Sequence, residues 1–88
     1  MKIVCLKSGW CSQCPAQTKE LERLAELDDT ISIEMFDVDL PDGAELAKAW
    51  NIRGIPFTAI LDENEEVLYS KSGLWKAEDI LTKMGELK

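Results

Sequence analysis

The sequence predicts an α/β fold with the order β-α-β-α-β-β-α, a four-stranded mixed sheet with helices on both faces. Two observations predict it. A β-branched run, Lys2 to Lys7, leads through a short link into a helix-like run, Ser12 to Leu27, and then into a second strand. That succession makes a parallel βαβ unit, which is right-handed by rule. Two later apolar runs are joined by the short polar turn Asp62-Glu63-Asn64-Glu65, which makes an antiparallel hairpin.

Each element has a local reason. Lys2-Ile-Val-Cys-Leu-Lys7 is apolar and bounded by Ser8-Gly9, the pattern of a buried strand. Ser12 or Cys11 opens the first helix, and Pro15 falls in its first turn, where a missing N–H costs little. Cys14, Thr18, Leu21 and Ala25 follow one face at i+4 and i+3 steps, so Cys14 is expected to face the core and Cys11 the solvent. Glu20, Glu22, Arg23 and Glu26 form the polar side. Ile31 to Asp39 alternates in part through Ile31, Ile33 and Met35 and reads as the second strand. Pro41-Asp42-Gly43 breaks the chain. Asp42 and Glu45 have capping-box spacing for a helix from Ala44 to Trp50 that buries Leu46, Ala49 or Trp50. Pro56 precedes the third strand, Phe57–Leu61, at a position a sheet tolerates. Glu66 to Ser72 returns antiparallel, Gly73 interrupts it, and a last helix from about Lys76 presents Ile80, Leu81, Met84 and Leu87 on one face.

At 88 residues and 45% hydrophobic content the chain is expected to form one domain over residues 1–88. No apolar run approaches the ~20 residues of a membrane span, and the stretch after Lys2 is too short for a signal peptide. The expected location is therefore cytoplasmic. A net charge of −7 argues against nucleic acid and anionic membranes as partners. The chain has no histidine, which excludes a cysteine–histidine nucleophile pair and a mixed cysteine–histidine zinc site. Three cysteines cannot complete an all-thiolate tetrahedral site in one chain, so no metal is expected, and a monomer is the default.

Chemistry concentrates in Trp10-Cys11-Ser12-Gln13-Cys14-Pro15. The cysteines sit where a strand gives way to a helix. The helix N-terminus carries partial positive charge and unpaired N–H groups, which stabilise a thiolate and lower its pKa. Cys14 lies about one turn beyond Cys11, within reach for an intramolecular disulfide. The pattern is that of a dithiol–disulfide exchanger, and in a reducing compartment such disulfides are transient and catalytic. Competing readings are incidental core cysteines, or half of a zinc or iron–sulfur site completed by a second copy. Cys5 stands apart and reads first as a small buried apolar residue. The sharper alternative is a third thiol near Cys14 that exchanges into a second disulfide.

Three separate places carry a resemblance to the thioredoxin superfamily in its minimal form. They are Trp10-Cys11-Ser12-Gln13-Cys14 between strand and helix; Ile52-Arg53-Gly54-Ile55-Pro56, similar to the segment ending in the family's cis-proline; and Glu66-Val67-Leu68 through Lys71-Ser72-Gly73-Leu74, similar to its last strand and glycine. They stand in the family's order and cover nearly the whole chain. The resemblance implies strand order 2-1-3-4 and a protein-disulfide reductase that needs no cofactor beyond its Cys11–Cys14 disulfide. Cys11 would attack a disulfide-bearing protein substrate and Cys14 would resolve the mixed disulfide. A thioredoxin-reductase-like protein or glutathione would then reduce the pair again. Pro56 would be cis beside the cysteines, and Trp10, Ile55, Gly73 and Leu74 would form an apolar rim for an extended substrate segment. Trp50 and Trp75 read as helix-end packing residues, although Trp75 lies near enough to Gly73 to border that rim. Asp37, Asp39 and the run from Asp62 to Glu66 read as solvated surface.

The sequence departs from the family pattern in places. Ser12-Gln13 replaces the usual Gly-Pro, and this dipeptide tunes the redox poise. Cys5 takes the place of a buried aspartate, and Met35 that of its lysine partner, so the usual proton relay is absent. Water or another group would take the proton from Cys14. The short length and the Ser-Gln dipeptide also resemble the glutaredoxin-like redoxins that serve ribonucleotide reductase. Gly-Ile-Pro and Ser-Gly-Leu stand where their glutathione-binding signatures would be. The alternatives are thus a glutaredoxin-like donor to a dedicated enzyme such as ribonucleotide reductase, or a non-catalytic thioredoxin-fold subunit that binds a partner through the same groove.

Overall fold

The computed structural model describes residues 1–88 and has a four-stranded sheet at its centre. β1 (Lys2–Lys7) pairs parallel with β2 (Ser32–Asp37) and antiparallel with β3 (Phe57–Leu61). β3 in turn pairs antiparallel with β4 (Val67–Ser72), so the order is β2-β1-β3-β4, as expected. β1 is central because Ile3, Val4, Cys5 and Leu6 are all buried, and only a strand covered on both faces accepts such a run.

The helices α1 (Cys14–Leu27) and α3 (Ala77–Leu87) lie on one face, and α2 (Pro41–Ala49) on the other. Leu21 and Leu24 of α1 meet Ala77, Ile80 and Met84 of α3 over Ile3, Cys5 and Ile60. Ile31, Ile33 and Met35 pack against the edge of this cluster, as their alternation predicts. On the opposite face Val4, Ala59 and Leu61 are buried beneath Phe36, Leu46, Trp50 and Phe57. No helix is long and apolar enough to cross a membrane.

Three local expectations need correction. α1 opens at Cys14 with Gln13 as N-cap, not at Cys11 or Ser12, and Pro15 sits in its first turn. Its buried face is Cys14, Gln17, Leu21 and Leu24. Thr18 is only half-buried and turns its Oγ1 back to donate to the Cys14 carbonyl at 3.0 Å, while Ala25 is exposed. α2 begins at Pro41, which takes the first helical position after an extended Leu40. Asp42 therefore lies inside the first turn, where its charge suits the helix dipole, and no side chain caps the helix. Leu46 and Trp50 are half-buried, whereas Ala49 is exposed.

Gly43 has a distinct reason to be glycine. It is buried against β2's end, and a Cβ there would collide with the Asp37 carbonyl. The hairpin turn is held by Asp62, whose Oδ1 accepts from the N–H groups of Asn64 and Glu66 at 2.8 and 3.0 Å.

Candidate functional site

The end of β1 positions the cysteine loop. Ser8 is buried; its hydroxyl accepts from the Trp10 N–H at 3.2 Å, and its carbonyl accepts from the Cys11 N–H at 3.4 Å. These two bonds fold residues 8–11 back toward the mouth of α1. Cys11 and Cys14 are joined there as a disulfide with a Cα–Cα separation of 5.4 Å, inside the usual range. Their surroundings differ. Cys14 is 3% exposed, whereas Cys11 is only half-buried and open to an incoming sulfur. Ser12 and Gln13 are exposed, and the Gln13 side chain makes no capping bond.

Trp10 is 72% exposed, and its indole N–H donates to Asp39 Oδ1 at 3.4 Å. Asp37 in turn accepts from the Asp39 N–H at 2.8 Å. The two aspartates that read as surface thus build the support for Trp10, a role that needs the β2–α2 loop to pass beside the cysteine loop. Behind the indole runs a groove of about 430 Å³, lined by Trp10, Val38, Ala47, Ile52, Arg53, Gly54 and Ile55. The Ile55–Pro56 peptide is cis, and Pro56 is buried. The Pro56 carbonyl accepts from the Gly73 N–H at 2.7 Å. Gly73 has φ +90°, a left-handed value natural only to glycine.

The structure therefore brings Trp10 and Ile55 together in one groove and ties Gly73 to Pro56. Gly73 and Leu74 do not line that groove; Leu74 lies exposed beyond Gly73. Trp75 does not border it either. It is 3% exposed and packs on Tyr69, with ring centroids 5.6 Å apart. Trp50 packs on Phe57 at the end of α2, with centroids 6.2 Å apart.

Cys5 and Met35 are register partners on β1 and β2, so an apolar pair stands where the family pattern has an ionic relay. The Cys5 thiol accepts from Thr58 Oγ1 at 3.8 Å and donates to the Leu6 carbonyl at 3.9 Å. Burial pushes its pKa up, and the Thr58 hydrogen bond and the Lys7 charge offset this only in part. A thiol held neutral is a weak nucleophile. Cys14 stands outside the packed cluster that contains Cys5.

Sequence reasoning missed three polar side chains that organise this region: Ser8, Thr58 and Gln17. Gln17 is completely buried and bonds the backbone of Trp75, 58 residues away. The only hint was a polar residue at i+3 from Cys14 on an otherwise apolar stripe. No group of histidine, cysteine, aspartate or glutamate side chains is arranged to hold a metal ion.

The model of the Thioredoxin family matches residues 2–86. No curated protein matches the chain. Among solved structures the chain is similar to chloroplastic thioredoxin z, at 28% identity over 98% of this chain and 76% of that one, with a TM-score of 0.80. It is similar to thioredoxin 1 of the thermophilic eubacterium Thermosipho africanus, at 23% identity over 98% and 92% of the two chains, with a TM-score of 0.80. It also resembles thioredoxin-2 of the malaria parasite, a component of that organism's protein secretion machinery, at 20% identity over 97% and 81%, with a TM-score of 0.87. The family match reaches every strand and helix from β1 to α3, and Cys11 and Cys14 occupy its Cys-x-x-Cys position at the mouth of α1. The chain belongs to the thioredoxin family.

Proposed function

We propose that this chain is a protein-disulfide reductase of the thioredoxin type. The observation that carries the reading is the asymmetry of the cysteine pair: Cys11 open to solvent before the helix, Cys14 sheltered at its first position. An attacking sulfur must be reachable, and a resolving sulfur must be kept from competing targets. The partial positive charge of the helix N-terminus favours the thiolate that begins the reaction.

In the first step the Cys11 thiolate attacks one sulfur of a target disulfide. A Cys11–target bond forms, the target's own S–S bond breaks, and one target thiolate leaves and takes up a proton. In the second step the Cys14 thiolate attacks Cys11 Sγ and releases the second target thiolate. Two electrons have then passed from the pair to the target, and the pair is left as a disulfide. Recharging takes two electrons from a thioredoxin-reductase-like dithiol or from two glutathione thiols. Trp10, Ile55, Pro56, Gly73 and Leu74 form the substrate rim in this reading. The groove supports the Trp10 and Ile55 part of that rim, and the bond from the Gly73 N–H to the Pro56 carbonyl supports the rest, with Leu74 exposed next to Gly73.

Insulin reduction with dithiothreitol as electron source tests the reading. The wild type should accelerate it, Cys11→Ser should abolish the acceleration, and Cys14→Ser should stall as a mixed disulfide with its target. Equal inactivity of wild type and Cys11→Ser with every reductant would leave the non-catalytic binding subunit as the better reading.

A further inference from the structure

Three polar side chains are buried in this protein, Ser8, Gln17 and Thr58. Gln17 alone among them uses both ends of its side chain, and both reach the segment between β4 and α3. Its Oε1 accepts from the Trp75 N–H at 2.7 Å, and its Nε2 donates to the Trp75 carbonyl at 3.0 Å. The amide thus pairs with one residue's backbone as a neighbouring strand would. Gln17 lies one helical step from Cys14 on the buried face of α1. Further along the same row, Glu20 Oε1 accepts from the Ala77 N–H at 2.9 Å, and Arg23 pairs with Glu78. Three successive i+3 positions of the cysteine helix therefore hold the chain from Trp75 to Glu78.

The segment just before Trp75 is held from the other side. The Gly73 N–H donates to the Pro56 carbonyl at 2.7 Å. Gly73 and Leu74 form a two-residue span anchored at one end to the proline loop and at the other to the cysteine helix. Leu74 between the anchors is exposed. We infer that Gln17 is a positioning residue that clamps the Gly73–Leu74 span to the cysteine helix and so sets the register in which a protein substrate meets Cys11.

The physical argument is one of unpaired groups. Without the amide, the buried N–H and C=O of Trp75 lose both partners, and buried unpaired groups drive local rearrangement toward water. The span then loses one of its two anchors. A small disulfide needs only access to Cys11 Sγ and is indifferent to this. A protein disulfide brings an extended backbone whose pairing depends on the span. The kinetic arm of the test rests on the reductase reading above; the exchange arm does not.

The experiment compares wild type, Gln17→Met and Glu20→Ala. Each is assayed for insulin reduction, for reduction of hydroxyethyl disulfide, for the dithiothreitol equilibrium of the cysteine pair, and for amide hydrogen exchange at Trp75 and Leu24. Gln17→Met should raise the insulin KM about fivefold or more, the size of one lost hydrogen-bond pair, with kcat within about twofold. Its hydroxyethyl disulfide rate and dithiothreitol equilibrium should stay at wild-type values. Exchange at the Trp75 amide should accelerate while Leu24 stays protected. Glu20→Ala, which loosens α3 but not the span, should keep the wild-type KM. If Gln17→Met does not fold, Gln17→Asn, which stays polar but is one methylene too short to hold both Trp75 groups, carries the same test. An unchanged insulin KM, or an equal loss for the small disulfide, overturns the clamp. A wild type that fails to reduce insulin sinks the reductase reading instead, and Trp75 exchange alone then decides the clamp.

Discussion

The two faces of the sheet are packed to different depths. Under α1 and α3, nine buried side chains form one cluster from Ile3 to Met84. Under α2, the buried cluster is only Val4, Ala59 and Leu61, and their neighbours Leu46 and Trp50 stay half-exposed. Two helices cover the first face and one the second. Val67, the register partner of Leu61 on the edge strand β4, is left 43% exposed. The difference teaches how a short chain divides its labour. The deep face fixes the helix that begins with Cys14. The shallow face leaves an open groove between α2, the Trp10 loop and Ile55. Cys14 is buried at the first position of α1, while Cys11 before it stays half-buried beside the Trp10 loop.

Paired truncations sharpen this contrast. Leu24→Ala, at a fully buried site of the deep face, should cost about 2–5 kcal/mol, because the surrounding cluster cannot collapse into the cavity. Leu46→Ala on the shallow face should cost roughly 1 kcal/mol, in proportion to the smaller area it removes from contact. Chemical denaturation followed by far-ultraviolet circular dichroism measures both, and equal losses would erase the distinction between the faces.

Gly43→Ala lies between these extremes and probes the one place where the shallow face is tight. The added methyl collides with the Asp37 carbonyl, and either α2 or the loop that carries Asp39 must move. A loss of about 1–3 kcal/mol is expected from such overpacking. A weaker grip on Trp10 should accompany it, read as an increase in the insulin KM of the variant. A fully wild-type variant would show that α2 shifts freely.

The smallest effect is electrostatic and should not distinguish the faces. Glu78 is held below the usual carboxylate range by its own backbone N–H and then by Arg23, and Glu65 is held below it by Lys2. Both folded values are depressed, so the stabilisation is present above the unfolded pKa and is lost as the pH falls through the folded one. Both carboxylates face solvent, so the effect is small and screened by salt. The denaturation midpoint should decline gently below about pH 5, and less so in high salt. Glu65→Gln and Glu78→Gln should each flatten the decline by a similar amount.

Much of this was legible in the sequence, for stated reasons. Apolar patterning and boundary residues mark every strand and helix, and the spacing along α1 turns Cys14 inward and Cys11 outward. The parts that were not legible depend on distant backbone. The buried stripe of α1 passes through Gln17 rather than Thr18 because the Trp75 backbone supplies both partners for an amide that alone would avoid the core. The capping box at Asp42 fails because Pro41 already satisfies the geometry of a helix start, which displaces the cap to Leu40. Asp39 becomes part of the site only when β2 pairs with β1 and carries its following loop to Trp10.

The placement of the three tryptophans has an optical consequence. Trp10 stands 72% exposed next to the disulfide, Trp50 is half-buried on Phe57, and Trp75 is 3% exposed against Tyr69. An indole in water emits to the red of one in a core, and only the exposed one meets a dissolved quencher. The long-wavelength edge of the emission therefore follows the oxidation of Cys11 and Cys14, and the short-wavelength edge follows the melting of the deep face. The protein carries separate native dyes for its chemistry and for its folding.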